Sequence, residues 1–87
     1  MVKTVETTAE EMSILFDNRC SYFWVKNIGE TDVYLSPYNG IVAGADDVTL
    51  CPAGECVRIT SMGRRLYALG ASTLEIHAQG DVTSPFM

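Results

Sequence analysis

The feature that most constrains this chain is a hydrophobic alternation of period two, broken at short intervals by turn chemistry. Tyr22, Trp24 and Lys26 alternate with Phe23 and Val25; Val33 and Leu35 flank Tyr34; Val48 and Leu50 flank Thr49. Val57 and Ile59 flank Arg58, and Leu74 and Ile76 flank Glu75. Side chains of a strand point alternately to opposite faces, so such runs, rich in β-branched and aromatic residues, read as half-buried strands. Between them stand Asn27-Ile28-Gly29-Glu30-Thr31-Asp32, Ser36-Pro37-Tyr38-Asn39-Gly40, Pro52-Ala53-Gly54-Glu55, Ser61-Met62-Gly63 and Gly70-Ala71-Ser72, all rich in turn formers. The pattern predicts an all-β fold, an antiparallel β-sandwich with the jelly roll as one arrangement of it. Helix should stay under roughly 15%, against a general level of about 30–35%. The expected core is Val25, Val33, Leu35, Val48, Leu50, Val57, Ile59, Leu69, Leu74 and Ile76.

Eighty-seven residues, 47% of them hydrophobic, suit a single domain over 1–87. Residues 1–16 read as an N-terminal arm or edge strand, and 79–87, with Pro85 near the end, as an irregular tail. Met12, Ile14 and Phe16 share a face at period two, whereas Thr8-Ala9-Glu10-Glu11 fits a capping box that would open one helical turn.

Charge narrows the partners. Six Lys and Arg against eleven Asp and Glu give a net charge of -5. Phosphate-backbone binding needs a concentrated basic face, and the sequence offers only the adjacent pair Arg64-Arg65, so no nucleic-acid partner is expected. No apolar run approaches the ~20 residues of a membrane helix, and Met1-Val2-Lys3-Thr4-Val5-Glu6 lacks a signal-peptide core; no membrane partner and synthesis in a cytoplasm are expected. Cys20, Cys51 and Cys56 make an odd count that argues against a disulfide framework. If the strands flanking Pro52–Glu55 form a hairpin with Leu50 facing Val57, Cys51 stands directly opposite Cys56, within disulfide reach but free in a reducing compartment.

No constellation identifies a reaction. His77 is the single histidine and reads as a solvent-facing strand residue; with it alone a several-ligand metal site of the cupin type is disfavoured. Asp32, Asp46 and Asp47 lack calcium-loop spacing, and Gly40-Ile41-Val42-Ala43-Gly44 matches no phosphate loop. We therefore expect no catalytic, metal or cofactor-binding residues, and no cofactor. The aromatics are the surplus. On one strand Tyr22 and Trp24 face away from Phe23 and Val25, so a sandwich core covers only one pair. Tyr22, Trp24, Tyr34 and Tyr38 are the candidate interface.

Trp24-Val25-Lys26-Asn27-Ile28-Gly29, then Asp32-Val33-Tyr34-Leu35-Ser36, begin a longer order of motifs. It continues through Gly44-Ala45-Asp46-Asp47-Val48, Pro52-Ala53-Gly54-Glu55, Leu66-Tyr67-Ala68-Leu69-Gly70-Ala71 and Leu74-Glu75-Ile76. Over residues 22–78 this order resembles small β-sandwich structural proteins of bacteriophage and prophage particles. The resemblance implies a head-decoration, fibre or tail component of a virion, made in the host bacterium, that binds other virion proteins and carries no catalytic residues. The surplus aromatics around Trp24 argue for a homo-oligomer, and the resemblance makes a trimer the first expectation and a dimer the second. The competing expectation is a cytoplasmic β-domain that binds a peptide, a carbohydrate or another small ligand.

Overall fold

The computed structural model describes residues 2–17, 19–60 and 63–80. Eight strands follow one another: β1 (Val2–Glu6), β2 (Met12–Leu15), β3 (Cys20–Asn27), β4 (Val33–Ser36), β5 (Thr49–Cys51), β6 (Cys56–Thr60), β7 (Arg65–Leu69) and β8 (Thr73–Gly80). They form two antiparallel four-stranded sheets, β1-β8-β3-β6 and β2-β7-β4-β5. Successive strands alternate between the sheets from β1 to β4 and again from β5 to β8. This is the strand order of an eight-stranded jelly roll. Among the described residues there is no helix, and Thr8–Glu11 is a bend in which the Thr8 hydroxyl donates to the Glu10 carbonyl. Residues 1–16 thus supply an edge strand to each sheet, and β8 runs to Gly80, two residues into the segment expected to be irregular. The remainder of that tail, 81–87, lies outside the described residues, as do residues 1 and 18 and the Ser61-Met62 part of the expected turn Ser61-Met62-Gly63.

The core is the sum of the two inner faces. In the first sheet, Ala78, Phe23 and Ile59 stand in register across β8, β3 and β6, followed by Ile76, Val25 and Val57. The second sheet contributes Ile14, Leu66, Ala68, Val33, Leu35 and Cys51. Phe16, immediately after β2, closes the gap between the layers against Phe23, ring centroids 4.9 Å apart. Burying each such ring contributes about 1.5–3 kcal/mol. Lys3 falls on the inward face of edge strand β1, where its Nζ lies over the Phe16 ring at 5.1 Å and donates to the Leu15 carbonyl at 2.9 Å. An inward-pointing charge on an edge strand discourages uncontrolled pairing.

Three expectations for the core are corrected. Leu50 is exposed on the outer face, opposite Tyr34, and Val48 is only half-buried in the preceding loop. The inward residue of β5 is Cys51. In β7 the inward residues are Leu66 and Ala68, which leaves Leu69 half-buried on the outer side. The hairpin across Pro52–Glu55 does not exist either: β5 pairs with β4 and β6 with β3, so this turn crosses between sheets. Cys51 is fully buried, Cys56 is exposed, and they share no ladder.

Candidate functional site

The two ends of the sandwich differ in chemistry. At one end, the links after β1, β3, β5 and β7 converge on Asn27, which is completely buried. Its Nδ2 donates to the carbonyls of Thr31 (2.7 Å) and Cys51 (3.0 Å). Its Oδ1 accepts from Ser72 Oγ (2.7 Å) and the Gly29 N–H (3.1 Å). An amide has two donor hydrogens and two acceptor positions, and all four are used. Thr7 extends the network: its hydroxyl donates to the Gly70 carbonyl and accepts the Ser72 N–H at 2.9 Å. Asp32 Oδ1 accepts the Ala53 N–H at 3.0 Å, and Glu55 O accepts the Asn27 N–H at 2.9 Å. This end is closed and internally satisfied. Its tip exposes Ile28, Glu30, Asp32 and Glu55.

Among the described residues the opposite end is open. Between the links after β2, β4 and β6 lies a cleft of about 740 Å³, a size typical of ligand sites. Leu15, Pro37, Tyr38 and Tyr67 give it apolar and aromatic walls, and Arg19, Arg64 and Arg65 line it as well; among the described residues no acidic one is in its lining. Half of the six cations of an acidic chain therefore border one cavity. Backbone pairing ties the links after β2 and β6 together beside it: the Phe16 N–H donates to the Arg64 carbonyl at 2.8 Å and the Cys20 N–H to the Gly63 carbonyl at 2.9 Å. Arg64 Nε donates to the Phe16 carbonyl at 3.1 Å, and Arg65 reaches Ser13 Oγ at 3.4 Å.

The candidate interface aromatics divide between the two sheets. Tyr22 and Trp24 stand together on the outer face of the first, in an edge-to-face contact with centroids 6.5 Å apart. Arg58 lies over the Tyr22 ring at 4.3 Å and pairs in register with Trp24, whose other neighbour is His77. Glu75 holds His77 Nε2 at 2.9 Å. Tyr34 lies on the outer face of the second sheet, in register with Leu50 and Leu69, and Tyr38 is exposed in the following loop at the mouth of the cleft. The structure unites Tyr22 with Trp24 but not with Tyr34 or Tyr38. Sequence reasoning did not single out the cleft. Its one local signal was Arg64-Arg65, whose companion Arg19 comes from a link 45 residues earlier in the chain.

Burial raises the thiol pKa of both Cys20 and Cys51. Among the described residues no group of three His, Cys, Asp or Glu side chains is placed to hold a metal ion, and no helix is long and apolar enough to cross a membrane. No protein-family model matches the chain, and neither a curated protein nor a solved structure is significantly similar to it.

Proposed function

We propose that this protein is a non-catalytic structural module that works by protein–protein assembly, as a component of a bacteriophage or prophage particle. One observation supports the assembly reading: each sheet carries large apolar groups on its outer face although the core is already filled. Trp24 is 41% and Leu50 42% exposed, with Tyr22, Tyr34, Tyr67 and Leu69 half-buried beside them. Exposed aromatic and aliphatic side chains grouped on a rigid sheet are the usual anchors of an interface. The particle context is supported by the resemblance of residues 22–78 alone, and so is the preference for a trimer over a dimer. Jelly rolls also serve as lectin and enzyme scaffolds, so the topology does not choose among these uses.

Size-exclusion chromatography with light scattering, from micromolar concentration upward, tests the self-assembly part of the reading. The expected mass is a multiple of 9.5 kDa that grows with concentration. A mass of 9.5 kDa throughout would overturn it and favour the competing reading, a small β-domain that binds a ligand in the open cleft.

A further inference from the structure

Three arginines line the cleft at one end of the sandwich, and Glu30, Asp32 and Glu55 are exposed at the other. We propose that copies of this chain associate head to tail, the closed-end loop Ile28–Asp32 of one seating in the arginine cleft of the next. The inference rests on the assembly reading and adds an end-to-end contact to the sheet faces that support that reading.

Arg19, Arg64 and Arg65 line the cleft beside its apolar walls, and the side chain of Arg65, exposed at the start of β7, makes only a 3.4 Å contact to Ser13 Oγ among the described residues. The occupant of the cleft should therefore combine an apolar contact with carboxylates, which arginine forks bind well. The loop after β3 has this composition. Ile28 is 49% exposed at its start, Glu30 and Asp32 are exposed beyond it, and Glu55 adds a third exposed carboxylate from the neighbouring link. Lys26, the one cation near this end among the described residues, lies on the outer sheet face in register with Glu75.

The loop is also built to keep its shape. Asn27 holds the Thr31 carbonyl and the Gly29 N–H, and the Ile28 N–H donates to the Thr73 carbonyl at 2.9 Å. A projecting loop already ordered in its free state loses little entropy on docking. Loop and cleft cannot meet within one molecule. Arg19 precedes β3 and Ile28 follows it, so an eight-residue strand, about 26 Å long, keeps them apart. The arginine cleft within reach of the acidic tip is therefore that of another copy. Such a heterologous contact closes into a ring when the rotation between copies divides a full turn, and otherwise extends as a filament.

The experiment compares the native chain with two charge reversals, Arg65→Glu in the cleft and Glu30→Arg on the loop, by light scattering across concentration. Neither side chain is buried, and circular dichroism verifies that each variant keeps the fold. The native protein should self-associate, and added salt should weaken it. Each reversal should raise the concentration of half-association about tenfold or more. Mixing the two variants should restore association, because each then meets an oppositely charged partner surface. If the native chain associates while both variants do so unchanged, or if mixing restores nothing, this docking is overturned and the assembly reading stands. A native chain that stays at 9.5 kDa overturns both. If that monomer is instead stabilised by inorganic phosphate or citrate, and Arg65→Glu abolishes the effect, the cleft is a site for free anions.

Discussion

Asn27 Oδ1 accepts a 2.7 Å hydrogen bond from Ser72 Oγ, joining the end of β3 to the link before β8 across 45 residues of chain. Because the same amide also holds Thr31, Cys51 and Gly29, one buried side chain orders the loop after β3 and anchors it to β5. Asn27→Ala leaves several polar groups without partners, each worth about 1–3 kcal/mol when buried, and should lower unfolding free energy by about 3 kcal/mol in urea titration. Asn27→Asp should also destabilise at neutral pH, since a carboxylate cannot donate to the two carbonyls. Gly29→Ala acts on the same joint. A Cβ there would lie 2.0 Å from Ser72 Oγ and 2.8 Å from the Thr73 nitrogen, so Ser72 must leave Asn27 or the loop must move.

The inner faces make a second, contrasting pair of variants. Ile59 is 3% exposed and packs in register with Phe23, so Ile59→Ala should cost about 2–5 kcal/mol. Leu50 is 42% exposed on the other side of the molecule, and Leu50→Ala should cost less than about 1 kcal/mol. Equal losses in urea denaturation would contradict the assignment of β5 with Cys51, rather than Leu50, facing inward.

The alternation that revealed the strands is a local signal, and it was readable where one face is plainly apolar. Val25, Val33, Leu35, Ile59, Leu74 and Ile76 all lie inward as the pattern implies. It misled where both faces carry apolar groups. In β5 the sequence Thr49-Leu50-Cys51 offers Leu50 as the obvious core residue, yet the small buried thiol of Cys51 takes the inward place because Val33 pairs with it. In Leu66-Tyr67-Ala68-Leu69 two leucines lie an odd number of residues apart, and period alone cannot choose between them. A register shift between Cys20 and Tyr22 puts both Cys20 and Phe23 inside, although strict alternation would separate them. Pro52–Glu55 has the length and composition of a hairpin turn, and only the whole topology makes it a crossover. The cleft was illegible for a related reason: Arg19 and the adjacent pair Arg64-Arg65 reach one cavity from two stretches of chain that are remote in sequence.

The three cysteines should be distinguishable by accessibility. Cys56 is exposed, whereas Cys20 and Cys51 are buried. A thiol reagent added to native, unreduced protein should modify one cysteine rapidly, and denaturation should bring the total to three. Cys56→Ser should remove the fast phase and leave the slow ones.

Burial also couples these thiols to alkaline stability. The pKa values of Cys20 and Cys51 lie above the ordinary 9.0 because desolvation disfavours the thiolate. Above pH 9 the unfolded chain has released these protons while the folded chain retains them, so stability falls with rising pH. The contribution is complete below the unfolded value and is lost as pH climbs through the folded one. Urea midpoints measured from pH 7.5 to 10 should therefore decline, and the slope should be shallower in a Cys20→Ala, Cys51→Ala double variant.

Trp24 offers the most direct reading of the outer face. It is the single tryptophan of the chain, 41% exposed, placed between Arg58 and His77 in register and against the edge of Tyr22. Phe23 and Val25 fill the core from the same strand, so Trp24→Ala removes surface packing and should change stability by less than about 1 kcal/mol. If the first sheet's outer face is an assembly surface, the same substitution should raise the concentration of half-association about tenfold, because centrally placed tryptophans are typical interface hot spots. Native Trp24 emission should then move to shorter wavelength as concentration rises, and acrylamide should quench it less. An emission maximum that stays fixed while the mass increases would place the contact elsewhere, leaving the loop and the arginine cleft at the two ends to carry it.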